Sequence, residues 1–184
     1  SAMRGIGSSH VDPYSALAGA AGAFVSMMVT WLKDGKPDVA MTGNGLLAGL
    51  VGVTAGCGVV EPIGAVIIGA IAGTLVVFAV SFFDKIRIDD PVGAVPVHML
   101  CGVFGTVAVG LFASGDYGLP TPEGADNSAP ITGLFYGGGA GQLIAQVIGS
   151  LTCLVVVGGI AFAMMKALRL LPGSWNLRLS RDEE

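Results

Sequence analysis

Charge is scarce in this sequence. Of 184 residues only 12% are Asp, Glu, Lys or Arg, against about 25% in a typical soluble domain. That supply is too small to cover a water-exposed core. The cations, 9 against 13 acidic residues for a net charge of −4, stand in ones and twos, so no basic face exists for nucleic acid. Cysteine is limited to Cys57, Cys101 and Cys153. The number is odd, no Cys-x-x-Cys occurs, and all three lie in apolar runs, which reads as buried free thiols and argues against a disulfide framework or a metal centre. No stretch has the charged start, short apolar middle and small-residue exit of a signal peptide. What is abundant is apolar surface, 53% of residues with a mean hydropathy of +0.77, and glycine, 30 residues. The glycines have no Gly-X-Y period and sit among Ala, Val, Leu and Ile, which excludes collagen and flexible linkers. Close helix packing within a bilayer accounts for both excesses.

Five stretches approach the roughly 20 apolar residues that a helix needs to cross the hydrocarbon: 14–32, 45–60, 63–83, 92–113 and 141–165. The second is the shortest, separated from the third only by Glu61 and Pro62, and Pro in the first turn of a new helix allows the two to form a tight hairpin. The expected architecture is therefore all-α and polytopic, with a transmembrane domain over 14–171. Residues 1–13 read as an N-terminal extension or truncated junction, and 172–184, with Trp175 and a closing charge run, as the start of a cytoplasmic tail. Both ends suggest a piece of something larger.

Basic residues set the expected orientation, because short cytoplasmic loops carry the excess of Lys and Arg. Lys33 and Lys36 follow the first span, Lys85 and Arg87 the third, and Lys166, Arg169, Arg178 and Arg181 the fifth, eight of the nine cations on one side. The alternate loops carry Glu61, then Asp116, Glu123 and Asp126 with no cation. The N-terminal end is expected outside and the C-terminus in the cytoplasm.

Within the spans one ionisable side chain stands out, His98. An ionisable group at membrane depth is costly and so marks a functional site; the alternative is a neutral imidazole bonding across a helix interface. A lone histidine cannot hold haem or zinc, and the only other one is His10, so neither metal nor cofactor is expected. Asp89-Asp90-Pro91 reads as the opening of the helix that carries His98, with Asp90 capping free N–H groups and Pro91 at the first helical position. Ala94, His98 and Gly102 share one stripe of that helix by their four-residue spacing. The stripes Gly45, Gly49, Gly52, Gly56 and Gly69, Gly73 read as packing surfaces. Gly137-Gly138-Gly139-Ala140-Gly141 has no preceding strand and so is not a nucleotide-binding loop.

The run Asp89-Asp90-Pro91-Val92-Gly93-Ala94-Val95-Pro96-Val97-His98-Met99-Leu100-Cys101-Gly102, continuing to Phe112, resembles the tenth-helix motif of the ammonium transporter (Amt/Rh) family. Trp31-Leu32, Gly35-Lys36-Pro37, Gly43-Asn44-Gly45, Ala48-Gly49-Leu50-Val51 and Thr54-Ala55-Gly56-Cys57 resemble its seventh and eighth helices and their link. Leu177-Arg178-Leu179-Ser180 resembles the start of its cytoplasmic tail. The resemblance covers residues 15–184. It implies an eleven-helix subunit, of which these spans are helices seven to eleven, in a homotrimer with one pore per subunit in the plasma or inner membrane. It further implies that His98 is the second of two pore histidines in a narrow apolar conduit, that Ala94 lines the conduit, and that Asp90 is the structural acid opening the helix. Ammonium and ammonia are the implied substrates, held at the outer mouth by aromatic residues of other helices, and PII-type signal proteins an implied partner of the complete parent. Gly93 and Met99 stand where many members carry an acidic residue and a glycine.

Two other readings compete. One is a small membrane scaffold or complex subunit without transport activity, in which His98 is a packed polar contact. The other is a membrane enzyme with His98 as acid or base, for which Thr30, Thr54, Thr74, Gln142, Gln146 and Thr152 are the remaining polar candidates, and none forms a triad by spacing. No enzymatic activity is expected.

Overall fold

The computed structural model describes residues 2–115 and 131–170, with side chains from residue 13 onward. Asp116, Glu123, Asp126, Arg178 and Arg181, and the tail expected over 172–184, lie outside the described residues. The described chain is helical: α1 (Ala2–Asp34), α2 (Val39–Thr54), α3 (Pro62–Lys85), a π-helical turn (Val95–Leu100) leading into α4 (Cys101–Phe112), a short 3-10 turn (Leu134–Tyr136) and α5 (Gly141–Arg169). Four of these segments, 13–34, 62–85, 95–112 and 141–169, are long and apolar enough to cross a membrane, and α2, with 16 residues, is shorter. The chain divides into two units, residues 1–147 and 148–184.

Three boundaries differ from those read off the sequence. α1 runs back through Pro13 to Ala2, over residues set apart as an extension. α2 starts at Val39 and ends at Thr54 instead of covering 45–60. The reason is its cap: the Asp38 carboxylate accepts the Met41 N–H at 2.8 Å, its carbonyl accepts the Thr42 hydroxyl at 2.7 Å, and the Asp38 N–H reaches Thr30 Oγ1 at 3.4 Å. A side-chain acceptor at that position satisfies donors that a helix start otherwise leaves open. Beyond Thr54 the chain folds into turns, with the Gly56 carbonyl accepting both the Val59 and Val60 N–H groups. Just past α3 and its cap Ile86, Arg87 adopts a left-handed φ of 59°, while Ile88 N–H returns to the Phe83 carbonyl at 3.1 Å. That is the closing geometry helices more often complete with glycine.

Glycine contacts fix how the first unit packs. A Cβ added at Gly49 or Gly69 would land on the Ala18 carbonyl, one at Gly73 on the Gly22 carbonyl, and one at Gly45 on the Ser26 hydroxyl. Along α1 the partner numbers therefore fall on α2 and rise on α3, so α1 runs antiparallel to α2 and parallel to α3. Gly105 likewise meets the Gly52 carbonyl, and Gly102 lies near Val51, which sets α4 parallel to α2. In lipid, where burial between helices gains little from the hydrophobic effect, such backbone approach supplies the packing energy. The gaps are filled by two apolar clusters, Tyr14, Ala18, Val53, Val60, Ala65, Ile68 and Ala108, and then Ala48, Ala72, Val76, Val77, Val97 and Cys101.

Threonine hydroxyls inside the helices are satisfied by their own backbone. Thr30 donates to the carbonyls of Ser26 and Met27, Thr54 to Leu50, Thr74 to Ala70 and Thr106 to Gly102, at 2.6–3.0 Å. Such local bonds let threonine lie at membrane depth without an orphan polar group. At the end of the unit where α2 gives way to α3, the Ser114 N–H donates to the Val59 carbonyl at 2.9 Å and the Gly133 N–H to the Ala113 carbonyl at 2.8 Å. Tyr136 donates its hydroxyl to Glu61 Oε2 at 3.1 Å. At the opposite end Lys33 Nζ meets Ser81 Oγ at 3.2 Å.

In the second unit the helix continues to Arg169 with most side chains exposed. Thr152 donates to the Ile148 carbonyl at 2.8 Å, and Lys166 Nζ lies 5.1 Å from the Phe162 ring centre.

Candidate functional site

The segment carrying His98 begins with a break. Pro91 and Val92 form a turn, Gly93 takes a left-handed φ of 76°, and helical structure starts only at Ala94. The helix was expected to open with Pro91 at its first position; Gly93 prevents that, because its backbone reverses hand between Pro91 and Ala94. Pro91 is therefore a turn residue and not part of the helix start. Asp90 still serves the helix, but from further back. One carboxylate oxygen accepts the Ala94 N–H at 2.8 Å and the other the Val95 N–H at 2.6 Å.

Every early donor of this helix is accounted for. Ala94 and Val95 give theirs to Asp90, Pro96 has none, and Val97 donates to the Gly93 carbonyl at 3.0 Å. The Val95 N–H bond, with those of Ala94 and its neighbours, holds the Asp90 carboxyl below the usual carboxylate range against a smaller opposing effect of partial desolvation; hydrogen bonds to the charged form act in that direction.

The turn from Val95 to Leu100 is wound as a π-helix before α4 takes up the α register at Cys101. Such widened turns are rare and recur at functional sites. One side of this turn is anchored: Val97 is 2% and Cys101 0% exposed, and both belong to the cluster with Ala48, Ala72 and Val76. The other side presents Ala94, His98 and Met99, all exposed, with Gly102 partly covered one turn on. Ala94, His98 and Gly102 thus lie toward one open side, across a widened turn that a plain four-residue spacing does not anticipate. The imidazole makes no hydrogen bond to another described residue.

Asn44, part of the Gly43-Asn44-Gly45 link, has no role legible in the sequence. Asn44, on α2, lies with its Nδ2 atom 2.9 Å from where a Cβ on Gly93 would stand, and Val80 on α3 flanks the same point at 3.5 Å. The Gly93 turn is therefore seated between α2 and α3. A glycine followed by Ala-x-Pro was the only sign of it, and glycine alone does not announce a left-handed turn.

His98 is the one imidazole in the described helices from residue 13 on, and the acidic and basic side chains there, Lys33, Asp34, Asp84, Lys85, Lys166 and Arg169, all stand in last turns. Among the described residues no three His, Cys, Asp or Glu side chains gather as a metal site. Gly137 and Gly139 have left-handed φ values of 85° and 70° in the loop before α5. What remains is one titratable group on a capped, anchored turn, facing away from the core of its own unit.

The sequence model of the Ammonium Transporter Family matches residues 9–184. Ammonium transporter Amt2 of Archaeoglobus fulgidus is 44% identical over 168 residues, which is 91% of this chain and 34% of that protein. An ammonium transporter of Mycobacterium tuberculosis is 35% identical over 168 residues, 88% of this chain and 34% of its own length. The crystal structure of Candida albicans Mep2 superposes with a TM-score of 0.80 at 27% identity, covering 95% of this chain and 37% of that one. The chain thus spans about a third of the length of these relatives.

Proposed function

Because the chain belongs to the ammonium transporter family, we propose that it forms the part of an ammonium transporter that supplies one of two pore histidines. In this reading the helices are the seventh to eleventh of an eleven-helix subunit, His98 lines the conduit and Ala94 flanks it. The complete protein is a homotrimer with a pore in each subunit, and its tail is the place where a PII-type signal protein would engage.

The physical problem is desolvation. A bare ammonium ion entering an apolar passage loses hydration worth many kcal/mol, whereas neutral ammonia does not. An ion captured at the outer mouth by aromatic faces therefore gives up its proton and passes as ammonia. A pair of imidazoles offers one donor and one acceptor to guide it and to take up and hand on the proton that the ion gives up. His98 suits that task because its ring is neither packed into the core nor bonded to a described neighbour, while its backbone is held on both sides. This outward placement is the observation that carries the proposal.

The orientation follows the cations. Lys33 and Ser81 meet at one end of the first unit, where Lys85 and Arg87 close α3, and Glu61 and Tyr136 meet at the other. We assign the first end to the cytoplasm.

The test is methylammonium uptake and current in the complete protein with His98→Ala. Loss of uptake, or a changed ratio of charge to substrate, is expected; unchanged uptake together with unchanged current would overturn the assignment.

A further inference from the structure

We propose that Asn44 is a positioning residue for His98, acting through Gly93. The inference rests on the reading of His98 as a conduit residue and adds the element that aims it.

Four observations converge. The His98 ring is exposed and bonded to no described residue, so within this segment its direction is set by the backbone beneath it. That backbone is pinned downstream by Val97 and Cys101, packed beside Ala48 of α2, and upstream by the Asp90 carboxylate on the Ala94 and Val95 N–H groups. The position of Asp90 relative to those groups depends on the reversal at Gly93, with φ of 76°. The nearest side chain to that reversal is Asn44, whose Nδ2 lies 2.9 Å from where any larger residue at 93 would put its Cβ.

Asn44, Ala48 and Val51 stand at three- and four-residue spacing, one face of α2, and they follow the His98 segment from Gly93 past Val97 and Cys101 to Gly102. The carboxamide is the end stop of that face. Without it Gly93 has room to leave the left-handed region, and a glycine pays little to do so. The Asp90 clamp then slips, and the widened turn loses the upstream hold that keeps it from relaxing to the α register, which would rotate His98 about the helix axis.

The experiment uses the complete transporter containing this chain, at matched amounts of folded protein. Asn44→Ala is expected to lower the maximal rate of methylammonium uptake by about tenfold, since small misplacements of an aligned group cost up to about a hundredfold, with KM changed less than about twofold because the outer mouth is untouched. Gly93→Ala strains the reversal directly, because alanine is disfavoured at a φ of 76°, and is expected to lower the rate likewise.

A second readout is independent of transport. In protein labelled with 15N-histidine, the imidazole signal assigned by its loss in His98→Ala is expected to shift in Asn44→Ala. An unshifted signal overturns the positioning role whatever the uptake. A shifted signal with unchanged uptake in both Asn44→Ala and His98→Ala upholds the positioning and overturns instead the conduit reading of His98. A rate loss accompanied by an unshifted signal would mark Asn44 as a general packing residue.

Discussion

Asp90 Oδ2 accepts the Val95 N–H at 2.6 Å, and that bond sets the first residue of the turn on which His98 is carried. The partner oxygen takes Ala94, so one carboxylate meets two donors that a helix start leaves open. Because the ionised form is the one bonded, the folded-state pKa of Asp90 lies below its unfolded value. Its contribution to stability is therefore present above the ordinary aspartate range of about 3.9 and is lost as pH falls through the lowered folded value. Thermal unfolding of the complete protein should show Asp90→Ala less stable than the parent at neutral pH. The gap should close on acidification, and a gap constant with pH would show that the clamp does not act through its charge.

Gly73 tests the helix packing. Placing a methyl there would drive it into the Gly22 carbonyl of α1. Alanine gains helix propensity of about 0.5–1 kcal/mol over glycine, but overpacking of a rigid contact costs about 1–3 kcal/mol, so the collision wins. Gly73→Ala should lower the melting temperature and the yield of folded protein, and a stabilised variant would show that α1 and α3 do not meet as described.

Arg87 tests the end of α3. Its φ of 59° costs a non-glycine residue about 1–2 kcal/mol, which Arg87→Gly relieves, against about 0.3–1 kcal/mol for removing a cation near a helix C-terminus. A small net stabilisation is expected in a thermal shift measurement. A clear loss would mean that the guanidinium makes an interaction worth more than the strain.

Sidedness gives a separate prediction. Single cysteines at Lys36 and at Asp126, exposed to an impermeant thiol reagent in intact cells with the three native cysteines replaced, should react at Asp126 and not at Lys36. The reverse pattern would invert the proposed topology, and equal labelling of both would deny that the two positions lie on opposite faces.

Much of the fold was legible because its signals are compositional or local. Long apolar runs announced α1, α3, α4 and α5, and the glycine stripes at Gly45, Gly49, Gly69 and Gly73 coincide with the backbone contacts that order the helices. The start of α2 was misplaced because the run from Val39 to Asn44 is mixed in polarity, and hydropathy outweighed the capping signal of Asp38. At the site, Asp90 was legible from its chemistry, an acid before a proline, and His98 stood out as an ionisable group in an apolar run. The widened turn was not, since it arises from a left-handed Gly93, a proline without a donor at Pro96 and packing of Val97 and Cys101 against distant helices. Asn44 was hidden for the same reason, as its contact joins residues 49 positions apart.

The most direct measurement is a structure of the complete protein that contains this chain. The account predicts a second imidazole from outside this segment within hydrogen-bonding distance of the His98 ring, about 3 Å between nitrogens, inside a narrow apolar passage. His98 buried against a neighbouring helix, with its ring bonded to a backbone carbonyl and no passage beside it, would contradict it.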